Sequence, residues 1–166
     1  MREKVISLDD CPSLVARLRE RGQRVVLTNG CFDILHVGHA RYLEAARALG
    51  DVLLVAINSD RAVRELKGDN RPVVNEDDRA EMVAALGSVD YVTIFDEISP
   101  RSLIADTRPN VLVKGGDYKL DEIHGREEVE AAGGRVVALP FIEGASTTSI
   151  IERVLERMKA EGGLEG

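Results

Sequence analysis

Five short runs of this chain are almost wholly apolar and rich in valine, leucine and isoleucine: Arg24–Thr28, Val52–Asn58, Tyr91–Phe95, Val111–Lys114 and Arg135–Leu139. A strand with one face in water alternates apolar and polar residues. Runs without that alternation belong to strands buried on both faces, which arise when helices cover both sides of a parallel sheet. Helical segments lie between the runs. Asp10 is placed to cap a first helix with Pro12 in its opening turn, turning Leu14, Val15 and Leu18 inward before Gly22 ends it. A second helix is predicted over Gly38–Leu49, ended by Gly50. A third runs over Asn75–Leu86, opens on the acids Glu76, Asp77 and Asp78, and buries Met82, Val83 and Leu86. The last covers Ser149–Lys159, with Ile150, Ile151, Val154, Leu155 and Met158 in one apolar stripe and Ser149 with Glu152 fitting a capping box. The expected fold is α/β: one Rossmann-like, doubly wound parallel sheet of about five strands, with right-handed crossovers and helices on both faces. A single domain over residues 1–166 is expected, with 1–22 as an N-terminal helical extension and 160–166 as a frayed tail.

In such sheets ligands bind beyond the carboxyl ends of the strands. That rule singles out the loops Asn29–Gly38, Asn58–Asp60, Lys114–Tyr118 and Pro140–Ser149. The first holds His36-Val37-Gly38-His39 at the start of a helix. Histidines three apart there share roughly one face, beside free backbone N–H groups and the positive end of the helix dipole, and Gly38 lets a ligand approach the backbone. A phosphate grip is the reading. Two histidines without a third ligand at suitable spacing make a poor zinc site, and no metal site is expected in the protein itself.

Composition narrows the ligands. With 166 residues and 44% hydrophobic content the chain is long enough for a full core, and its formal charge of −7 argues against broad nucleic-acid or anionic-membrane binding. No apolar run reaches the length of a bilayer span, the charged start Met1-Arg2-Glu3-Lys4 is unlike a secretory leader, and Cys11 and Cys31 form no metal pattern. A soluble, cytoplasmic protein with reduced thiols is expected.

Neither a Gly-x-x-x-x-Gly-Lys-Ser/Thr loop nor a Gly-x-Gly-x-x-Gly turn after a strand is present. Lys114-Gly115-Gly116-Asp117-Tyr118 instead ends a strand with two glycines that permit close approach and a carboxylate able to accept from a base or sugar, although Gly-Gly-Asp also occurs in plain turns. Gly144-Ala145-Ser146-Thr147-Thr148-Ser149 brings four hydroxyls to a helix start. Capping accounts for one; several together make a second anion site, suited to β- and γ-phosphates. Lys67, Arg71 and Arg79 are either a solvated face or the cations that offset substrate charge.

Gly30-Cys31-Phe32-Asp33, His36-Val37-Gly38-His39 and Ser146-Thr147-Thr148 together resemble the cytidylyltransferase-like branch of the nucleotidyltransferases. Adding Ala56–Asp60, Leu66-Lys67-Gly68, Arg71-Pro72-Val73 and Val113–Tyr118, the chain looks most like the adenylyltransferase domain of bifunctional heptose kinase/adenylyltransferases, which make ADP-heptose for lipopolysaccharide. The likeness covers residues 20–155. Glycerol-phosphate cytidylyltransferases are similar in the first and last motifs but carry Arg-Thr where this chain has Phe141-Ile142.

The resemblance implies joining of ATP and D-glycero-β-D-manno-heptose 1-phosphate, with Mg²⁺ bound mainly through nucleotide phosphates. Cytidylyl transfer to glycerol 3-phosphate, adenylyl transfer to FMN and a nucleotide-sensing role are the alternatives. It implies His36, His39 and Lys67 as catalytic residues; Cys31, Phe32, Gly38, Gly115, Asp117, Ser146, Thr147 and Thr148 as nucleotide-binding; and Asp33, Asn58, Arg79 and Lys114 as substrate-binding. A homodimer, served by a separate sugar kinase, completes the expectation.

Overall fold

The computed structural model describes residues 1–116, 123–140, 144 and 146–160. Five strands, β1 (Val25–Gly30), β2 (Val52–Asn58), β3 (Tyr91–Phe95), β4 (Val111–Gly115) and β5 (Arg135–Leu139), form one parallel sheet in the order β3-β2-β1-β4-β5. Among the described residues seven α-helices accompany them: α1 (Cys11–Glu20), α2 (Val37–Arg47), α3 (Asp60–Lys67), α4 (Glu76–Ala84), α5 (Arg101–Thr107), α6 (Arg126–Ala131) and α7 (Thr147–Ala160).

Successive strand residues serve opposite faces, which is why the runs are almost wholly apolar. Val25, Leu27, Leu54, Ala56 and Leu112 pack with Cys11, Val15, Leu18, Leu103, Ile104 and Val129 of α1, α5 and α6. Val26, Leu53, Val55, Ile57 and Val113 pack on the other face with Leu43, Ala46, Ala80, Val83 and Ala84 of α2 and α4. Each such side chain, fully withdrawn from water, stabilises the fold by roughly 1.5–3 kcal/mol before the entropic cost of ordering it. Before α1, Val5 bridges to Val92 and the Ile6 N–H donates to the Val92 carbonyl at 2.9 Å, tying the start of the chain to β3.

The sheet divides at its centre. The β1–β4 register ends at Thr28 opposite Val113. Beyond that pair, Asn29 and Gly30 continue only against Ala56 and Ile57 of β2, while Lys114 and Gly115 continue against Ala138 and Leu139 of β5. This is where the strand order reverses, the crevice such folds use for ligands.

Several expectations need correction. Helices α3, α5 and α6 carry only two, three and one buried residues, too few for an amphipathic stripe to announce them. Asp10 stands at the start of α1 without a side-chain capping bond; Ser7 accepts from the Asp10 N–H instead, closing a 3₁₀ turn over Leu8–Asp10. In α4 Met82 is 55% exposed, because Arg79 and Ala80 with Val83 and Ala84 form the inner face. Helix α7 begins two residues before the predicted start and buries none of its residues; Val154, Leu155 and Met158 are exposed. Among the described residues no helix is long and apolar enough to cross a membrane.

Candidate active site

The carboxyl ends of the strands surround a cavity of about 620 Å³ to which every strand contributes, through Cys31 after β1, Asn58 of β2, Ile98 after β3, Gly115 of β4 and Pro140 after β5. His36 and His39 form one wall. His36 precedes α2 in extended conformation, φ −143° and ψ 170°, and His39 lies in the first turn. Their rings stack at 3.8 Å between centroids with 22° between planes, and Phe32 tilts against His39 at 5.2 Å. Burial lowers the pKa of His39 to about 4, with the charge of His36 adding to the effect, and burial lowers that of His36. Two neutral imidazoles therefore share the wall near pH 7. The Nδ1 atoms of both are buried without a hydrogen-bond partner. An unpaired buried polar atom costs about 1–3 kcal/mol, a cost that both rings carry in this wall.

The turn ahead of the histidines is held from outside. Phe32 adopts a left-handed φ of 46°, and a Cβ on Gly30 would stand 3.0 Å from its ring, so Gly30 is what lets Phe32 fold back. Asp33 is spent on its own chain: it accepts from the N–H groups of Val73 and Val74, each at 2.9 Å, and from Arg71 Nε at 2.6 Å. Burial alone would raise its pKa, but these donors outweigh that and hold the carboxyl below its usual range.

Arg79, expected to contact substrate, does not reach the cavity. It is fully buried, donating to the Cys31 carbonyl at 2.6 Å, the Val74 carbonyl at 2.9 Å and Asp60 at 2.7 Å. Five donors in a rigid fork let one guanidinium pin three segments together, a structural task that replaces the expected one.

On the floor, Lys114 Nζ donates to Asn29 Oδ1 at 3.1 Å across the divided sheet, and burial lowers its pKa. Asn58, 3% exposed, accepts weakly from the Cys31 thiol at 3.8 Å, and burial raises the pKa of that thiol despite Lys67, Arg79 and Arg71 nearby. A protonated thiol is no nucleophile. Lys67, at the end of α3, is exposed and borders the cavity, as does Arg71. Gly38 and Gly115 border it too, and a Cβ at Gly115 would come 3.1 Å from the Tyr42 ring.

The opposite wall is the start of α7, where Ser146, Thr147 and Thr148 line the cavity. Ser146, not Ser149, is the cap: its Oγ accepts from the Ser149 N–H at 3.0 Å, and Ser149 Oγ donates back to the Ser146 carbonyl at 2.9 Å, so the expected box with Glu152 gives way to a Ser–Ser pair. Thr147 Oγ1 donates to the Ile34 carbonyl at 3.3 Å, joining α7 to the turn before the histidines. Asp117, Tyr118, Phe141 and Ile142 lie outside the described residues.

Sequence reasoning missed the loop after β3, whose Ile98 and Pro100 line the cavity together with Ile123 and His124. The strand-end rule applied to it equally; no unusual residue drew attention there. Tyr42, which also lines the cavity, was passed over. Among the described residues no group of three or more His, Cys, Asp or Glu side chains could hold a metal ion.

A cytidylyltransferase-like family model matches residues 27–153, a span that holds both walls and the floor of the cavity. The bifunctional protein HldE of Koribacter versatilis is 56% identical over 150 residues, which are 90% of this chain and 31% of that protein. The bifunctional protein HldE of Geobacter sulfurreducens is 52% identical over 153 residues, 92% of this chain and 31% of that protein. The chain thus spans about a third of the length of these curated relatives. Among solved structures, the lipopolysaccharide core biosynthesis protein from Thermoplasma volcanium matches 75% of this chain and all of its own, at 27% identity and a TM-score of 0.61. On the strength of the family match across the sheet and both cavity walls, the chain belongs to the cytidylyltransferase-like family.

Proposed function

We propose that this domain is an adenylyltransferase that joins MgATP and D-glycero-β-D-manno-heptose 1-phosphate to give ADP-heptose and pyrophosphate. The observation that carries the reading is the pair of stacked imidazoles sharing one cavity with a helix start rich in hydroxyls. Similarity to bifunctional HldE proteins supports the choice of a heptose acceptor.

An oxygen of the sugar phosphate attacks the α-phosphorus of ATP. The new P–O bond forms as the bond to the β-phosphate oxygen breaks, and pyrophosphate leaves with its electron pair. The attacking phosphate is already an anion, so no general base is needed, and the task of the protein is alignment and charge stabilisation. His36 and His39 donate to α- and β-phosphate oxygens as neutral imidazoles. Lys67 and Arg71 approach from the β2 side, and Lys114 with Asn58 offers polar contacts to the acceptor on the floor. Thr147, Thr148, the backbone at Gly38 and the α7 start hold the leaving pyrophosphate. Cys31 and Phe32 act through the backbone, and Gly115 with Asp117 serves the ribose and base. Mg²⁺ arrives with the triphosphate, held by phosphate oxygens and water, which suits a cavity without a carboxylate cluster among its described residues. A homodimer in the cytoplasm, fed by a heptose kinase, completes the proposal.

The test is pyrophosphate release with ATP or CTP crossed with heptose 1-phosphate, glycerol 3-phosphate and FMN. The expected result is release with ATP and the heptose only. Preference for CTP and glycerol 3-phosphate identifies a cytidylyltransferase, and ATP binding with no release a sensing module.

A further inference from the structure

The divided sheet needs something at its base. Past Thr28 and Val113, β1 and β4 no longer pair, and Asn29–Gly30 and Lys114–Gly115 stand as two tines of a fork, the backbone of each paired only on its outer side. Tyr42 of α2 fills the base. Its hydroxyl lies 2.6 Å from Thr28 Oγ1 and donates to the Val113 carbonyl at 3.3 Å, touching both members of the last β1–β4 pair. A phenol has one proton; with it given to Val113, Thr28 donates to the phenol oxygen, and the three groups form a chain across the gap. The ring continues upward against Gly115, where any Cβ would stand 3.1 Å from Cε2. Burial raises the pKa of Tyr42 to about 12, so the bridge keeps its proton at every working pH. The tips of the tines meet separately through Lys114 and Asn29.

Both tines lead into the groups that hold the reacting phosphates in the function proposed above, on which this inference rests. One tine continues into the Cys31–His39 turn, and the other carries Lys114 and Gly115. Their separation sets where the two halves of the site stand, and a misplacement of about 1 Å can cost up to about 10²-fold in rate. We propose that Tyr42 is a positioning residue for nucleotidyl transfer: its hydroxyl, clasped between Thr28 and the Val113 carbonyl, fixes the width of the β1/β4 fork and so the alignment of the two phosphates.

The experiment compares wild type, Tyr42→Phe, Thr28→Val and the double variant by steady-state pyrophosphate release, with ATP stoichiometry measured by calorimetry. Tyr42→Phe keeps the ring under Gly115 and removes only the bridge; Thr28→Val keeps the volume and removes one partner. The expected result is a fall of about tenfold in turnover for each, KM for both substrates within about twofold, unchanged ATP stoichiometry, and a double variant no slower than the slower single one. Turnover within about twofold of wild type in either single variant, a loss matched by fewer ATP sites, or losses that multiply would each overturn the assignment. An inactive wild type instead overturns the proposed function and this inference with it, whereas an active wild type beside an equally active Tyr42→Phe removes this inference alone.

Discussion

His39 carries opposite consequences for stability and for chemistry. In the fold it stays neutral down to about pH 4, whereas the unfolded chain takes up a proton as pH falls through 6.5. The unfolded state then binds more protons, so this histidine makes the fold lose stability progressively between pH 6.5 and about 4. Asp33, held below its usual 3.8, adds a further loss as pH falls from 3.8 through its lowered value. Melting temperature measured against pH should decline first in the histidine window, and His39→Gln should flatten that decline. An unchanged slope in the variant would place the acid sensitivity elsewhere. For catalysis, His39→Ala should lower turnover by about 10²- to 10³-fold, the usual cost of losing a donor to developing charge, with the fold intact by circular dichroism. Near-wild-type pyrophosphate release would remove it from the phosphate wall. Arg79 belongs to a different category despite its charge. Arg79→Met leaves the Cys31 and Val74 carbonyls and Asp60 without their donor. A cost of about 3 kcal/mol in urea unfolding is expected, with Arg79→Lys a poor rescue because a single ammonium cannot span three acceptors. Undiminished stability with a raised KM would restore Arg79 to the substrate.

Elements that position the site differ in how plainly they show in the amino-acid order. The strands were legible because burial on both faces leaves them almost wholly apolar, without the alternation of a half-exposed strand, and three of the five had the bounds expected of them. Helix α3 was not, since Asp60–Lys67 is mostly charged and turns only Ala62 and Val63 inward; it exists because Ser59 accepts from the Ala62 N–H at 3.1 Å and caps it. Ser59 also donates to Asp96 after β3, so one hydroxyl fastens two strand-end loops. Ser59→Ala should cost about 1–2 kcal/mol by chemical denaturation, and because α3 ends at Lys67 the same change should raise KM for ATP. Stability at the wild-type level would show that packing of Ala62 and Val63 suffices. The His-x-Gly-His turn and the Ser-Thr-Thr start of α7 were visible because glycine and hydroxyl clusters at strand ends have few other uses. Arg79 was misread for the converse reason: a charge suggests water or substrate, and only the three-dimensional neighbours show the arginine buried, as only they show the phenol of Tyr42 bridging two strands.

At the scale of the molecule, a net charge of −7 surrounds a cavity that Lys67, Arg71 and Lys114 border among the described residues, so the proposed function requires these local groups to admit a highly charged nucleotide against the general field. Ligand binding then competes with that repulsion, and raising salt should weaken affinity less than it does for proteins that track a phosphate backbone with many cations. MgATP at about 100 times its Kd should stabilise the fold by about 2.7 kcal/mol, read as a rise in melting temperature, while CTP at the same concentration should give a smaller rise. Equal rises would move the nucleotide preference toward cytidine.

The bond from Thr147 to the Ile34 carbonyl joins residues 113 positions apart. Long closures of this kind slow folding, because chain entropy must be given up before the contact forms. During synthesis the order is stricter still: the histidine wall emerges early, and its opposing wall is made only after all five strands have been translated. A nascent chain that has folded its sheet therefore holds only one of the two facing walls, and the cavity is completed only when the domain has been read through to α7.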